Sequence, residues 1–177
     1  MEDFELKDLA AMSDGQVAQA RENSAYVGSK TAWFLYAARH NDTVAAADAL
    51  ACGVPIDWMS SERETALHHA SYYDAPEVVA FLIERGANVN VVNGNGATPL
   101  HFACQENHRH LEIAKMLIKA GADTKALDDF DEPPHHETLD AALRSIRSEE
   151  MAQRLDNVLG DVPCDESSTK PSSGFTL

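Results

Sequence analysis

The chain has 177 residues, with 29 Asp and Glu against 14 Lys and Arg, a formal net charge of −15. That length holds one compact domain or a short repeat array, and a hydrophobic fraction of 44% excludes an acidic disordered chain. The charge opposes a phosphate backbone, which excludes a conventional nucleic-acid binder and points to a protein partner, most naturally a basic one.

In chain order, the acidic start Met1-Glu2-Asp3-Phe4-Glu5 lacks the basic flank and apolar run of a signal peptide. No window approaches the length of a membrane span, so a cytoplasmic location and no membrane partner are expected. Phe4, Leu6, Leu9, Ala10, Val17 and Ala18 suggest one or two helices broken near Ser13-Asp14-Gly15, a cap formed by residues 1–29. Beyond it, self-comparison is the most informative test. Thr65-Ala66-Leu67-His68-His69-Ala70 recurs 33 positions later as Thr98-Pro99-Leu100-His101-Phe102-Ala103. The run Val78 to Asn90, with Gly86-Ala87-Asn88, matches Ile113 to Lys125, with Gly121-Ala122-Asp123, once two extra residues are placed at Asn107-His108. Stepping back by the same period maps Ala70 to Ala37 and Gly86 to Gly53, so residues 30–59 are a degenerate copy before the clear copies at 60–92 and 93–127.

Within a copy, Thr98 can cap a helix that has Pro99 at its first position. Leu100 and Ala103 share a face, and Leu111, Ala114, Leu117 and Ile118 form a second apolar stripe. Gly86 and Gly121 stand where a left-handed C-cap ends the second helix. Asn93-Gly94-Asn95-Gly96 reads as a hairpin tip. In the last copy, 128–160, Asp128 to His136 looks about six residues longer than a standard hairpin. A helix then resumes at Glu137 to Leu143, and a separate final helix runs from Ser148 to Leu159. The Pro- and Ser-rich residues 161–177 read as a disordered tail.

These motifs resemble the ankyrin repeat, clearly over about residues 60–125 and in outline over 30–160. The resemblance implies an all-α solenoid of helix-turn-helix units joined by β-hairpin loops, with terminal capping helices. It also implies that His68 and His101 are structural, and that partners bind at hairpin tips and on the concave side of the first helices. Carried over position by position, that selects Trp58, Met59, Ser61, Glu62 and Glu64 in the first hairpin, then Val91, Asn93, Asn95 and Ala97, then Leu127, Asp129, Phe130 and Asp131. On the first helices it selects Tyr72, Tyr73, Gln105 and Glu106. Large aromatics are frequent interface anchors, and the acids would form a negative rim. Two alternatives stay open: Trp58 packs under the neighbouring hairpin, and only one of Tyr72 and Tyr73 is exposed. Trp33, Phe34 and Phe81 are expected in the core.

Catalysis has no supporting motif, neither Gly-x-Ser-x-Gly, a phosphate-cradling glycine loop, nor His-Glu-x-x-His. No catalytic residue, cofactor or metal site is expected. Cys52, Cys104 and Cys164 are too far apart for a ligand pattern, with Cys104 read as a small apolar group. The function expected is a non-enzymatic interaction module, monomeric on its own, acting as a stoichiometric inhibitor, neutraliser or adaptor. A basic enzyme or toxin as partner, as for an immunity protein, best explains the charge. The alternatives are a metal- or ligand-dependent regulator using His108, His110, His135 and His136, or a structural subunit of a larger complex.

Overall fold

A computed structural model describes residues 30–105 and 110–160, with side chains as far as Arg154. The proposed N-terminal cap, the tail, Cys164, Glu106 and His108 lie outside the described residues. Among the described residues seven helices follow in order: α1 Lys30–Arg39, α2 Thr43–Ala51, α3 Ala66–Tyr72, α4 Pro76–Glu84, α5 Pro99–Ala103, α6 Leu111–Lys119 and α7 His136–Gly160. The first six form three antiparallel pairs. Inner helices stack in the row α1–α3–α5 and outer helices in the row α2–α4–α6, with α7 packed on α6. Neither row could bury its apolar face alone, so the core runs continuously through the stack: Phe34, Leu35, Leu67, Val78, Val79, Leu82, Leu100, Ile113 and Leu117 are all buried.

The sequence period is visible in backbone geometry. Ala37, Ala70 and Ala103 are fully buried where helices approach closely. Gly53, Gly86 and Gly121 close the outer helices at φ 88°, 83° and 93°, the left-handed conformation that ends a helix. The helix starts are also built alike. In α3 the backbone N–H and hydroxyl of Thr65 meet His68 Nδ1 at 3.2 and 2.9 Å, and in α5 those of Thr98 meet His101 Nδ1 at 3.1 and 2.8 Å. Because a backbone N–H can only donate, Nδ1 must accept, which leaves the proton on Nε2. That proton is donated across the repeat boundary, from His68 to the Ala97 carbonyl at 3.1 Å and from His101 to the Glu132 carbonyl at 3.2 Å. Burial holds His68 down to about 4 and lowers His101 as well, so both rings work as neutral imidazoles. This is the structural role expected for them.

The hairpins carry no β-ladder, and no strand occurs among the described residues. Each is instead a five-residue turn whose ends are joined by a backbone bond: Ser60 N to Glu64 O at 2.9 Å, Asn93 N to Ala97 O at 3.0 Å, Asp128 N to Glu132 O at 3.0 Å. Successive turns bond to one another, Gly94 N to Glu62 O at 2.9 Å and Asp129 N to Asn95 O at 3.0 Å. The side chains of Asp57 and Asn90 accept from the N–H groups of Asn88 and Asp123, repeating one link along the array.

The last copy departs from expectation twice. Its turn, Asp128–Glu132, is no longer than the other two, and only the next helix begins late, at His136. The places held by Thr65 and Thr98 carry Pro133, which has neither N–H nor hydroxyl, so the same helix start cannot form. The two expected terminal helices are one continuous helix, because no Gly or Pro interrupts the chain between His136 and Gly160. Its exposed face is tied to α6 by Glu149, which meets Lys115 at 2.8 Å and Lys119 at 2.7 Å.

Candidate functional site

Each turn is pre-formed by its first side chain. Asn93 Oδ1 accepts from the N–H groups of Asn95 and Ala97 at 2.9 and 3.0 Å, and Asp128 Oδ1 accepts from those of Phe130 and Glu132, both at 2.9 Å. Ser60 Oγ does the same for Glu64 at 3.2 Å. Asn93 is therefore buried scaffold of the turn, and its place among the binding residues is corrected. Two further residues move inward. Trp58 is half-buried and packs against the core, the alternative left open for it. Val91 is 8% exposed and belongs to the interior of the hairpin.

What faces outward is a rank of equivalent positions. Met59, Val92 and Leu127 occupy the same place in the three hairpins and are 37%, 42% and 55% exposed. Val92 escaped the sequence reasoning although the period itself identifies it, since it stands 33 residues after Met59. Phe130, 75% exposed at the third tip, lies between the exposed acids Asp129 and Asp131. Glu62, Asn95 and Gln105 are exposed as expected.

Behind the first tip, α3 and α5 frame a half-open groove of about 230 Å³ lined by Glu64, His69, Tyr72, Tyr73 and Phe102. Tyr72 is half-buried and Tyr73 exposed, so one ring of the pair is the more accessible. Tyr72 stands edge-on to Tyr73, centroids 4.9 Å apart, and edge-on to Phe102 at 6.0 Å. The Arg39 guanidinium lies 4.5 Å over the Tyr73 ring. Glu64 is set in the wall with Oε2 3.2 Å from His69 Nε2 and Oε1 3.5 Å from the Asn93 amide nitrogen. The short contact would by itself favour a charged pair, but burial acts against charge on both groups. It holds His69 down to about 4, helped by Arg39, and pushes the Glu64 carboxyl up from its usual range. Desolvation prevails, and the contact is a neutral imidazole N–H donating to the carboxylate.

Of the histidines considered for a metal, His110 is engaged between neighbouring repeats. His110 Nε2 meets the Tyr72 carbonyl at 3.1 Å and Nδ1 meets the Asp74 carboxylate at 3.1 Å, joining neighbouring outer-helix starts. His135 and His136 stack on one another. Among the described residues no three His, Cys, Asp or Glu side chains converge as a metal site. Cys104 is fully buried with its thiol pushed up to about 12 by burial, and Cys52 is exposed and free. Phe34 is fully buried, while Trp33 and Phe81 cover the core edge. No helix among the described residues is long and apolar enough to cross a membrane.

Comparison with known proteins agrees with this geometry. A profile of ankyrin repeats in three copies matches residues 34–128. The chain is 32% identical over 96 residues to an ankyrin repeat and LEM domain-containing protein 1 homolog of Caenorhabditis elegans, covering 52% of this chain and 13% of that protein. It is 30% identical over 109 residues to ankyrin repeat protein 14 of vaccinia virus (strain Western Reserve), covering 62% and 38%. Over 135 residues it is 33% identical to the Caenorhabditis elegans ankyrin repeat and KH domain-containing protein mask-1, covering 73% and 5%. The chain thus spans well under two thirds of these relatives' own lengths.

Proposed function

Because the chain belongs to the ankyrin-repeat family, a fold of protein–protein interaction modules, we propose that it is a non-catalytic binding protein that acts by occupying a partner's surface. One observation carries this: Met59, Val92 and Leu127 repeat at the same place in three successive hairpins, exposed and outside the buried core. Phe130 at the third tip extends the apolar surface. Exposed apolar side chains scattered singly need no explanation, whereas a rank of them on a bonded row of turns is a surface suited to a partner. The acids Glu62, Asp129 and Asp131 around it favour a basic partner and a salt-sensitive association rate. Within that reading, the finer role is a stoichiometric inhibitor, neutraliser or adaptor.

The test compares two triple variants in affinity capture. Met59→Ser with Val92→Ser and Leu127→Ser is expected to lose the partner retained by the unaltered chain. Val44→Ser with Met151→Ser and Leu143→Ser, also exposed but on α2 and α7, is expected to keep it. Capture by the hairpin variant and loss by the helix variant would place the binding face on the other side of the array.

A further inference from the structure

We infer that the groove between α3 and α5 is a receptor for one arginine side chain of a partner protein. The inference rests on the protein-binding reading above and names the chemistry of one contact within it. Size decides first. At about 230 Å³ the groove is below the volume of pockets that enclose a cofactor or drug-sized ligand, and suits a single side chain. Its walls decide the charge. Tyr72 is perpendicular within 12–13° to both Tyr73 and Phe102, with interplanar angles of 78° and 77°, so ring faces and edges meet around one space. The electron-rich face of an aromatic ring attracts a cation. Arg39 already shows this here by resting its guanidinium over Tyr73.

The polar wall points the same way. Glu64 is a carboxylate set among these rings, its contacts being a neutral His69 N–H and the Asn93 amide at the limit of hydrogen bonding. Burial without a counter-charge raises its pKa, and an arriving cation would supply what burial removed. The exposed Glu62 adjoins it on the same turn. Arg39 is the opposing charge, and it makes the sign of the occupant testable. Arginine is favoured over lysine because its planar guanidinium can stack on a ring and bond a carboxylate through two N–H groups at once. The net charge of −15 makes a basic partner segment complementary to the whole molecule.

The experiment titrates the isotope-labelled full chain by NMR with a blocked nonapeptide of three Gly-Arg-Gly units at physiological salt. Parallel titrations use the same peptide with lysine or with uncharged citrulline. The Arg peptide is expected to shift the groove resonances, the Lys peptide to bind more weakly, and the citrulline peptide to leave them unmoved. Glu64→Gln is expected to weaken the Arg peptide about tenfold, as for a lost charge-assisted contact, while Arg39→Gln strengthens it. Glu150→Gln, which removes one exposed charge on α7, outside the groove and the row of tips, is expected to change affinity less than twofold, as for a solvated charge. Tyr72→Leu gives a second loss that does not depend on the carboxylate. Equal losses from Glu64→Gln and Glu150→Gln would overturn the inference, as would inverted signs for Glu64→Gln and Arg39→Gln. Shifts at Gly94, Asn95 and Asp129 that persist unchanged in Glu64→Gln would leave the binding face standing and remove the arginine receptor. Absence of shifts at both tips and groove would remove the basic partner as well.

Discussion

The boundary between α1 and α3 and the boundary between α3 and α5 are built on one frame and differ at its centre. At the second, His68 donates from α3 to the Ala97 carbonyl of the next turn. At the first, one period earlier, the same place holds Leu35, fully buried. The outer row repeats the contrast. Asn41 accepts from the Val78 N–H at 3.1 Å and donates to Glu77, whereas Asp74, at the equivalent left-handed turn, meets His110. The array therefore tolerates two solutions to the same packing problem. Apolar volume suffices to stack the repeats, and the imidazole adds a directional bond to the next turn through a ring that must stay neutral to accept from the Thr65 N–H.

The largest expected effect breaks the apolar boundary. Leu35→Ala removes a fully buried side chain and should cost about 2–5 kcal/mol, by lost transfer energy and the cavity left behind. Since no titrating ring fills that place, urea unfolding should give the same cost at neutral and mildly acid pH. A cost that fell markedly in acid would show that the two boundaries are not mechanically separate.

Next comes the acid response of the imidazole boundary. His68 is held at about 4 when folded, against 6.5 for a free imidazole, so the unfolded chain binds the proton first as pH falls. The stability it contributes is complete above about 6.5 and is lost progressively as pH drops toward about 4, on the order of 3 kcal/mol over the full span. His69, also held at about 4, and His101, lowered, add to the same direction. Replacing the ring by the side chain used one period earlier, His68→Leu, should cost about 1–3 kcal/mol at neutral pH, because the Ala97 carbonyl and Thr65 N–H lose their partner. That cost should shrink in acid as the wild type weakens. Unfolding curves recorded across that range would show parallel slopes if His68 did not carry the dependence.

How far the sequence reached follows from the same contrast. Period and motif located the buried alanines, the left-handed glycines and the bridging histidines, since each is a residue type that backbone geometry demands at a fixed spacing. The last repeat was less legible. Its turn is intact, but Pro133 stands where Thr65 and Thr98 stand, and only the structure shows that the helix then starts at His136 and continues unbroken. In the candidate face, Val91 and Val92 are chemically identical, so only register separates the core valine from the exposed one. Asn93 reads as an exposed polar residue until its bonds to Asn95 and Ala97 show it to be the scaffold of the turn. The Glu64–His69 contact joins residues whose separate motifs predicted a tip acid and a helix residue, not a shared groove wall.

The smallest effects belong to the turns, and they sharpen the comparison at its finest scale. Arg63, Gly96 and Asp131 share the left-handed place, with φ of 59°, 73° and 59°. Only the middle one is glycine. A Cβ on Gly96 would lie 2.9 Å from the Asp129 backbone nitrogen, too close for an ordinary contact. At the preceding boundary the glycine is on the opposite side. Gly94 occupies the place of Asp129, so the position facing Arg63 carries no side chain of its own. Gly96→Ala therefore combines left-handed strain with a backbone clash, and should cost about 2–3 kcal/mol. Gly86→Ala, at φ 83° with nothing within 4 Å of the added Cβ, has the strain alone and should cost about 1 kcal/mol. Arg63→Gly runs the comparison in reverse. It relieves about 1 kcal/mol of left-handed strain but frees the unfolded chain by a similar amount, so the net should stay within about 0.5 kcal/mol of zero. Thermal melting of the three variants separates the contributions: equal losses for Gly96→Ala and Gly86→Ala would mean that the neighbouring turn yields, and that the bonded row of tips is softer than its repeated geometry indicates.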